Sequence, residues 1–291
     1  MNVKKVEMVF TPKEAHFVGD GFRVHNFIPS YAQLDMKRMD PFIMLDYNSK
    51  HIFPASEKPK GVGVHPHRGF ETVTIAYNGK VEHHDSAGGG GIISEGDVQW
   101  MTAASGVLHK EFHEKEWSKK GGLFQMVQLW VNMPAKDKMS TPKYQALVNE
   151  EINKVSLPND MGLIEVIAGA YNGVKGSAST FSPLHLLNAK LNKGGKAAFS
   201  FAPHFNTALL VIEGNIVVND TERVATDNFA LFENTGEEFH ISAEDDAIVL
   251  VLSGEPINEP IAAHGPFVMN TRQELVEAFQ DFNTGKFGYL E

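Results

Sequence analysis

From Phe22 to about Met133 the chain is written in short apolar runs broken by Gly, Asp and Asn. Phe42-Ile43-Met44-Leu45, Thr72-Val73-Thr74-Ile75-Ala76-Tyr77 and Phe124-Gln125-Met126-Val127-Gln128-Leu129-Trp130-Val131 have strand length. The last alternates apolar and polar residues in places, as a half-buried strand does. Turn signals such as Asn78-Gly79 and Glu95-Gly96-Asp97 separate the runs. This spacing predicts an antiparallel sandwich or barrel. A polar segment from Pro134 to about Pro158 interrupts the pattern. Within it, Thr141-Pro142 predicts a short helix, a cap followed by proline at the first helical position. Strand-like runs resume at 163–167, 184–191, 208–212, 216–218, 229–232 and 247–252. Thr271-Arg272-Gln273-Glu274 is a capping box ahead of Leu275, Phe279 and Phe282 at helical spacing, so one helix closes a mostly β chain.

The two β halves read as weak copies of one another. Asn78-Gly79-Lys80-Val81 parallels Glu213-Gly214-Asn215-Ile216, and Asp97 to Met101 parallels Asn228 to Phe232. Each latter run reaches a histidine twelve residues after its start, His109 and His240. An ungapped comparison sets His65, His67 and Glu111 against Ser200, Ala202 and Ser242. The second copy therefore keeps one of the four candidate ligands, too few to hold a metal. The division expected is 1–135 as a metal-binding barrel and 136–291 as a metal-free one with the helix at its end.

Net charge of −10 and a pI near 5.7 argue against a surface built to grip a phosphate backbone. The absence of cysteine excludes disulfides, thiolate zinc sites, iron–sulfur clusters and cysteine nucleophiles. The first ten residues lack the apolar stretch of a signal peptide, and no run reaches the roughly eighteen apolar residues of a membrane span. The expectation is a soluble cytoplasmic protein that binds neither membrane nor nucleic acid directly.

Candidate chemistry is concentrated in one stretch: seven of the thirteen histidines lie between His51 and His113. In an extended strand, side chains at i and i+2 share a face. His65 and His67 therefore aim at one point, and so do His109 and Glu111. Brought together, the two pairs offer three imidazoles and a carboxylate, a set that suits Fe(II), Mn, Co, Ni, Cu or Zn. Glu71 has the parity of His65 and His67 and competes with Glu111 for the carboxylate position. A bulge at Gly69 would rotate Glu71 away and let Arg68 pair with it. His83 and His84 are adjacent and point to opposite faces, so at most one approaches the site, and a solvent-facing role is favoured. His113 is expected to be exposed. Gly88 to Gly91 lacks the Lys-Ser/Thr of a phosphate loop and reads as a flexible loop near the barrel mouth.

His65-Pro-His-Arg-Gly-Phe-Glu-Thr-Val73, Gly96-Asp-Val-Gln-Trp-Met-Thr-Ala103, Gly106-Val-Leu-His-Lys-Glu111 and Gly265-Pro-Phe-Val-Met-Asn-Thr271 together resemble the pirin family of the cupin superfamily. The resemblance spans nearly the whole chain. It implies a bicupin, two antiparallel jelly-roll β-barrels, with one iron in the N-terminal barrel held by His65, His67, His109 and Glu111. It thereby decides for Glu111 against Glu71. It also implies a dioxygenase of the quercetin 2,3-dioxygenase type, acting on a flavonol and O2 with Glu111 as the base. The alternative it carries is a redox-sensitive, non-enzymatic regulator acting through a protein partner.

Overall fold

The computed structural model describes residues 2–291. The chain divides into two compact units, Glu14–Asn149 with Ile257–Glu291, and Met1–Lys13 with Glu150–Pro256. A single cut at 135/136 does not describe this, because each unit takes a segment from the far end of the chain. The N-terminal strand β1 (Val6–Phe10) pairs with Phe229–Phe232. The C-terminal stretch returns to the N-terminal unit, where Phe267, Ala278 and Phe287 form a cluster joined by Leu108.

The N-terminal unit holds two large antiparallel sheets, besides a two-stranded ribbon of Ala262–His264 with Phe267–Met269. Its strands are β2 (His16–Val18), β3 (Phe22–Ile28), β4 (Phe42–Phe53), β5 (Gly61–His67), β6 (Phe70–Asn78), β7 (Val81–Asp85), β8 (Gly90–Ile93), β9 (Val98–Thr102), β10 (Val107–His113), β11 (Gly122–Asn132) and β12 (Lys143–Leu147). One sheet has the order β12-β9-β6-β11-β4-β3-β2 and the other β5-β10-β7-β8, a jelly-roll arrangement. The apolar runs at Phe42, Thr72 and Phe124 lie in β4, β6 and β11, as the pattern predicts.

No helix follows Thr141-Pro142. The residues after it form β12, which pairs from Lys143 opposite Thr102 to Leu147 opposite Val98. An isolated helix that short nucleates poorly, whereas the open edge of β9 supplies ladder hydrogen bonds at once. The glycine run is likewise not a free loop. Asp85 Oδ1 accepts the amides of Ala87 (2.9 Å) and Gly89 (2.8 Å), and Gly90 and Gly91 open β8 opposite His84 and His83.

The C-terminal unit has the same plan. Its larger sheet runs β1, Phe229–Phe232, Asn206–Glu213, Ala247–Gly254, Leu184–Leu191, Gly162–Ala168, Asn153–Ser156. Its smaller sheet runs Lys196–Ser200, Glu238–Ala243, Ile216–Val218, Glu222–Val224. Its interior is filled by Phe199, Phe201, Phe232, Phe239 and Ile241. His240, the one counterpart expected from the repeat, alternates with buried Phe239 and Ile241, is half-exposed, and lies 3.0 Å from Asp220. It belongs to the outer face, so this interior keeps none of the four positions.

The closing helix Arg272–Asn283 carries the capping box read from the sequence, with Glu274 N donating to Thr271 Oγ1 and Thr271 N donating to Glu274 Oε2. Among the described residues no helix is long and apolar enough to cross a membrane.

Candidate metal centre

Strand β10 alternates with period two, Val107, His109, Glu111 and His113 being buried and the residues between them less so. His109 stands directly opposite His65 on β5. Beyond that pair β5 carries one extra residue, so Glu111 faces Val62 rather than Gly63, a bulge that shifts the register beside the histidines. The ring centroids of His65 and His109 are 4.1 Å apart, those of His67 and His109 4.7 Å, and those of His65 and His67 4.9 Å. Each of the three offers a ring nitrogen within 4.8 Å of the others.

Hydrogen bonding sorts the nitrogens. His65 Nδ1 lies 2.8 Å from the Gly63 carbonyl and His67 Nδ1 lies 3.2 Å from the Pro266 carbonyl. A carbonyl only accepts, so both Nδ1 atoms carry a proton and Nε2 is the nitrogen left for a ligand. His109 Nε2 is buried with no hydrogen-bond partner among the described residues. Burial, then the neighbouring His65, pushes His67 down to about 3. Burial with the other histidines also pushes His109 well below its ordinary value. Both rings are therefore neutral at physiological pH, as ligands must be. An unpartnered buried nitrogen on His109, close to the neutral ring of His67 and to His65, fits a metal-binding donor set.

Glu111 joins the cluster on its other side. It groups with His109 and His83, not in the same tight set as His65 and His67, although it shares a cavity with those two. Gln128 Nε2 donates to Glu111 Oε2 at 2.9 Å and Thr74 Oγ1 reaches Oε1 at 3.5 Å. His83 is fully buried behind His109, contrary to the solvent-facing role favoured for it. Gln99 Nε2 donates to its Nδ1 at 3.1 Å, and its Nε2 faces Asp85 Oδ2 at 3.4 Å. The exposed partner of the pair is His84, which bonds Glu82.

Gln128, Thr74 and Gln99 sit in a polar row that crosses the floor of the jelly roll and runs on past the cluster to Asp46 and Asn26. Asn26 lies opposite Asp46, Asp46 opposite Gln128, Gln128 opposite Thr74, and Thr74 opposite Gln99. Each residue comes from a different strand, and none was singled out in the sequence. Polar residues at period-two positions of otherwise apolar strands were the available signal.

Glu71 lies elsewhere. Gly69 breaks the chain between β5 and β6 with φ +88, and a Cβ there would sit 2.0 Å from the Val268 carbonyl oxygen. Buried Lys138 ties this turn down by donating to the carbonyls of Gly69 (2.6 Å) and Val268 (2.9 Å). Across the break the parity resets: Thr74 faces Glu111, and Glu71, three residues away, accepts from Thr102 Oγ1 at 2.7 Å. Burial pushes the Glu71 carboxyl up to about 7. Arg68 does not pair with it. Arg68 bonds Asp281 at 2.9 Å and lies over the Phe287 ring. His113, expected outside, is buried among Phe22, Phe53, Trp117 and Phe124 and bonds the Gly21 carbonyl at 2.7 Å. Its parity with His109 places it inward, and the charged Lys110 between them lies on the other face.

A cavity of about 290 Å³ opens onto His65, His67 and Glu111, walled by Phe22, Met44, Met126 and Trp130 and reaching Asp46. That is close to the lower end of the range for small-molecule sites, about 300–1,000 Å³.

Residues 21–131 match the family described as pirin, and residues 186–288 match the pirin C-terminal cupin domain. A Pseudomonas aeruginosa protein named "Putative quercetin 2,3-dioxygenase" is 46% identical over 285 residues, covering 98% of this chain and 99% of its own. Human pirin is 33% identical over 291 residues, covering 98% of this chain and 94% of its own. The crystal structure of a quercetin 2,3-dioxygenase from Acinetobacter baumannii is 49% identical with a TM-score of 0.93, over 99% of this chain and 100% of that one.

Proposed function

The chain belongs to the pirin family, and from that premise we propose that it is a metal-dependent dioxygenase cleaving a flavonol such as quercetin with O2. The observation that carries this reading is the buried, unpartnered Nε2 of His109, clustered with His65 and His67 beside a largely apolar cavity. A divalent metal held by His65, His67, His109 and Glu111, iron by preference, supplies Lewis acidity and open coordination positions when bound. Trp130, Phe22, Met44 and Met126 give a flat aromatic substrate apolar walls and keep water from the reacting face. Glu111 takes the proton of the enolic 3-hydroxyl. Gln128 and Thr74 hold its two carboxylate oxygens and so set where that proton arrives.

The test is turnover of quercetin by iron-loaded protein with and without O2, following carbon monoxide release. The expected result is O2-dependent release with one metal per chain. Turnover no faster than that of free iron would overturn the assignment.

A further inference from the structure

The cavity's polar lining is not all accounted for by the metal-binding cluster. His65, His67 and Glu111 belong to that cluster, and the Gln128 amide is used on Glu111. Asp46 remains. Its Oδ1 accepts from Asn26 Nδ2 at 2.7 Å, and Asn26 is itself held by a bond from the same Nδ2 to the Ile28 carbonyl at 3.0 Å. The carboxylate is thereby fixed in orientation, and no donor among the described residues reaches its Oδ2. Burial raises the Asp46 carboxyl above its ordinary value, against the lowering effects of Asn26 and His16. Asp46 is partly exposed where it lines the cavity, so a ligand hydroxyl can donate to its Oδ2. Asp46 stands opposite Gln128, whose amide touches Glu111, so it lies one strand farther along the sheet, about 4.8 Å in backbone spacing.

We propose that Asp46 is a specificity-determining residue, accepting a hydrogen bond from a substrate hydroxyl remote from the one presented to Glu111. The inference rests on the flavonol reading and narrows it to flavonols that carry a further hydroxyl on an outer ring. 3-Hydroxyflavone carries only the enolic hydroxyl, whereas quercetin carries hydroxyls on both outer rings as well.

Binding of the two compounds to iron-loaded protein under anaerobic conditions, read by quenching of tryptophan fluorescence, tests this without turnover. The wild type is expected to favour quercetin by roughly 10- to 100-fold, the range of a hydrogen bond to a charged group. Asp46→Ala should reduce that preference to within a few fold while leaving 3-hydroxyflavone affinity nearly unchanged. Asp46→Asn keeps the shape, but its oxygen stays with Asn26 and an NH2 donor takes the place of Oδ2, so the preference should fall here too, which serves if the alanine variant fails to fold. An undiminished preference in a folded variant that binds both compounds overturns the role of Asp46 alone. Failure of the wild type to bind either compound overturns the flavonol reading, and this inference with it.

Discussion

In the N-terminal jelly roll, two neighbouring strands of the small sheet bring His65 and His109 face to face, with ring centroids 4.1 Å apart. In the C-terminal jelly roll, the corresponding two strands bring Phe199 opposite Phe239, stacked at 5.1 Å. The topology is shared, strand for strand, in both sheets. What differs is the cost of the filling. Each buried phenyl contributes roughly 1.5–3 kcal/mol by leaving water. An unpartnered buried nitrogen such as His109 Nε2 costs roughly 1–3 kcal/mol instead. One interior is packed with phenyl rings, and the other sets ring nitrogens close enough together to hold a metal ion. Departures of this kind from good packing mark functional places more often than accidents of folding.

The comparison breaks most sharply at the metal. His109→Ala should abolish stoichiometric binding, taking metal content from one equivalent per chain to none by elemental analysis, an affinity loss well beyond about 100-fold. Glu111→Gln should weaken binding severely, and Glu71→Gln should leave the metal bound. Retention of metal by the Glu111 variant and its loss in the Glu71 variant would reverse the assignment of the carboxylate.

In the phenylalanine-filled unit the readout is stability rather than ligand. Phe239→Ala should cost about 3–5 kcal/mol in denaturant unfolding, because a large cavity opens in a closely packed interior. Metal content should stay at one equivalent.

The residues behind the histidines sharpen the contrast further. His83→Phe puts the C-terminal unit's chemistry behind His109 while keeping the volume filled. It should lower metal affinity roughly 10–100-fold in competition with a chelator, the usual effect of losing a group that orients a ligand. An unchanged affinity would make His83 ordinary packing.

A smaller effect comes from Glu71. Its folded-state pKa, about 7, lies above the ordinary carboxylate value, so between about 4.5 and 7 the folded chain binds more protons than the unfolded one. Stability therefore falls as pH rises through that window. Glu71→Gln should flatten this part of the profile of unfolding midpoint against pH. The smallest effect is expected at His240→Ala, which should change neither metal content nor stability by more than about 0.5 kcal/mol, since that side chain is half-exposed beside Asp220.

The sequence by itself determined the β content, the closing helix and the pairing of histidines by parity. Period-two alternation and a capping box are local, and a strand's two faces follow from its backbone alone. His65 with His67, and His109 with Glu111, could be read because each pair lies within one strand. Parity failed where the strand itself ended. Gly69 turns the chain between two sheets, so counting from His67 to Glu71 crosses a break that only the approach of Val268 and Lys138 explains. Parity holds at His113, which is buried in step with His109 and Glu111 while charged Lys110 lies on the opposite face. Tertiary structure alone decided the rest. The row from Asn26 through Asp46, Gln128 and Thr74 to Gln99 exists only across strand boundaries, through registers that no local pattern encodes. The exchange of terminal segments between the units was equally hidden, because the partner that pairs an edge strand or covers an apolar face can lie anywhere along the chain.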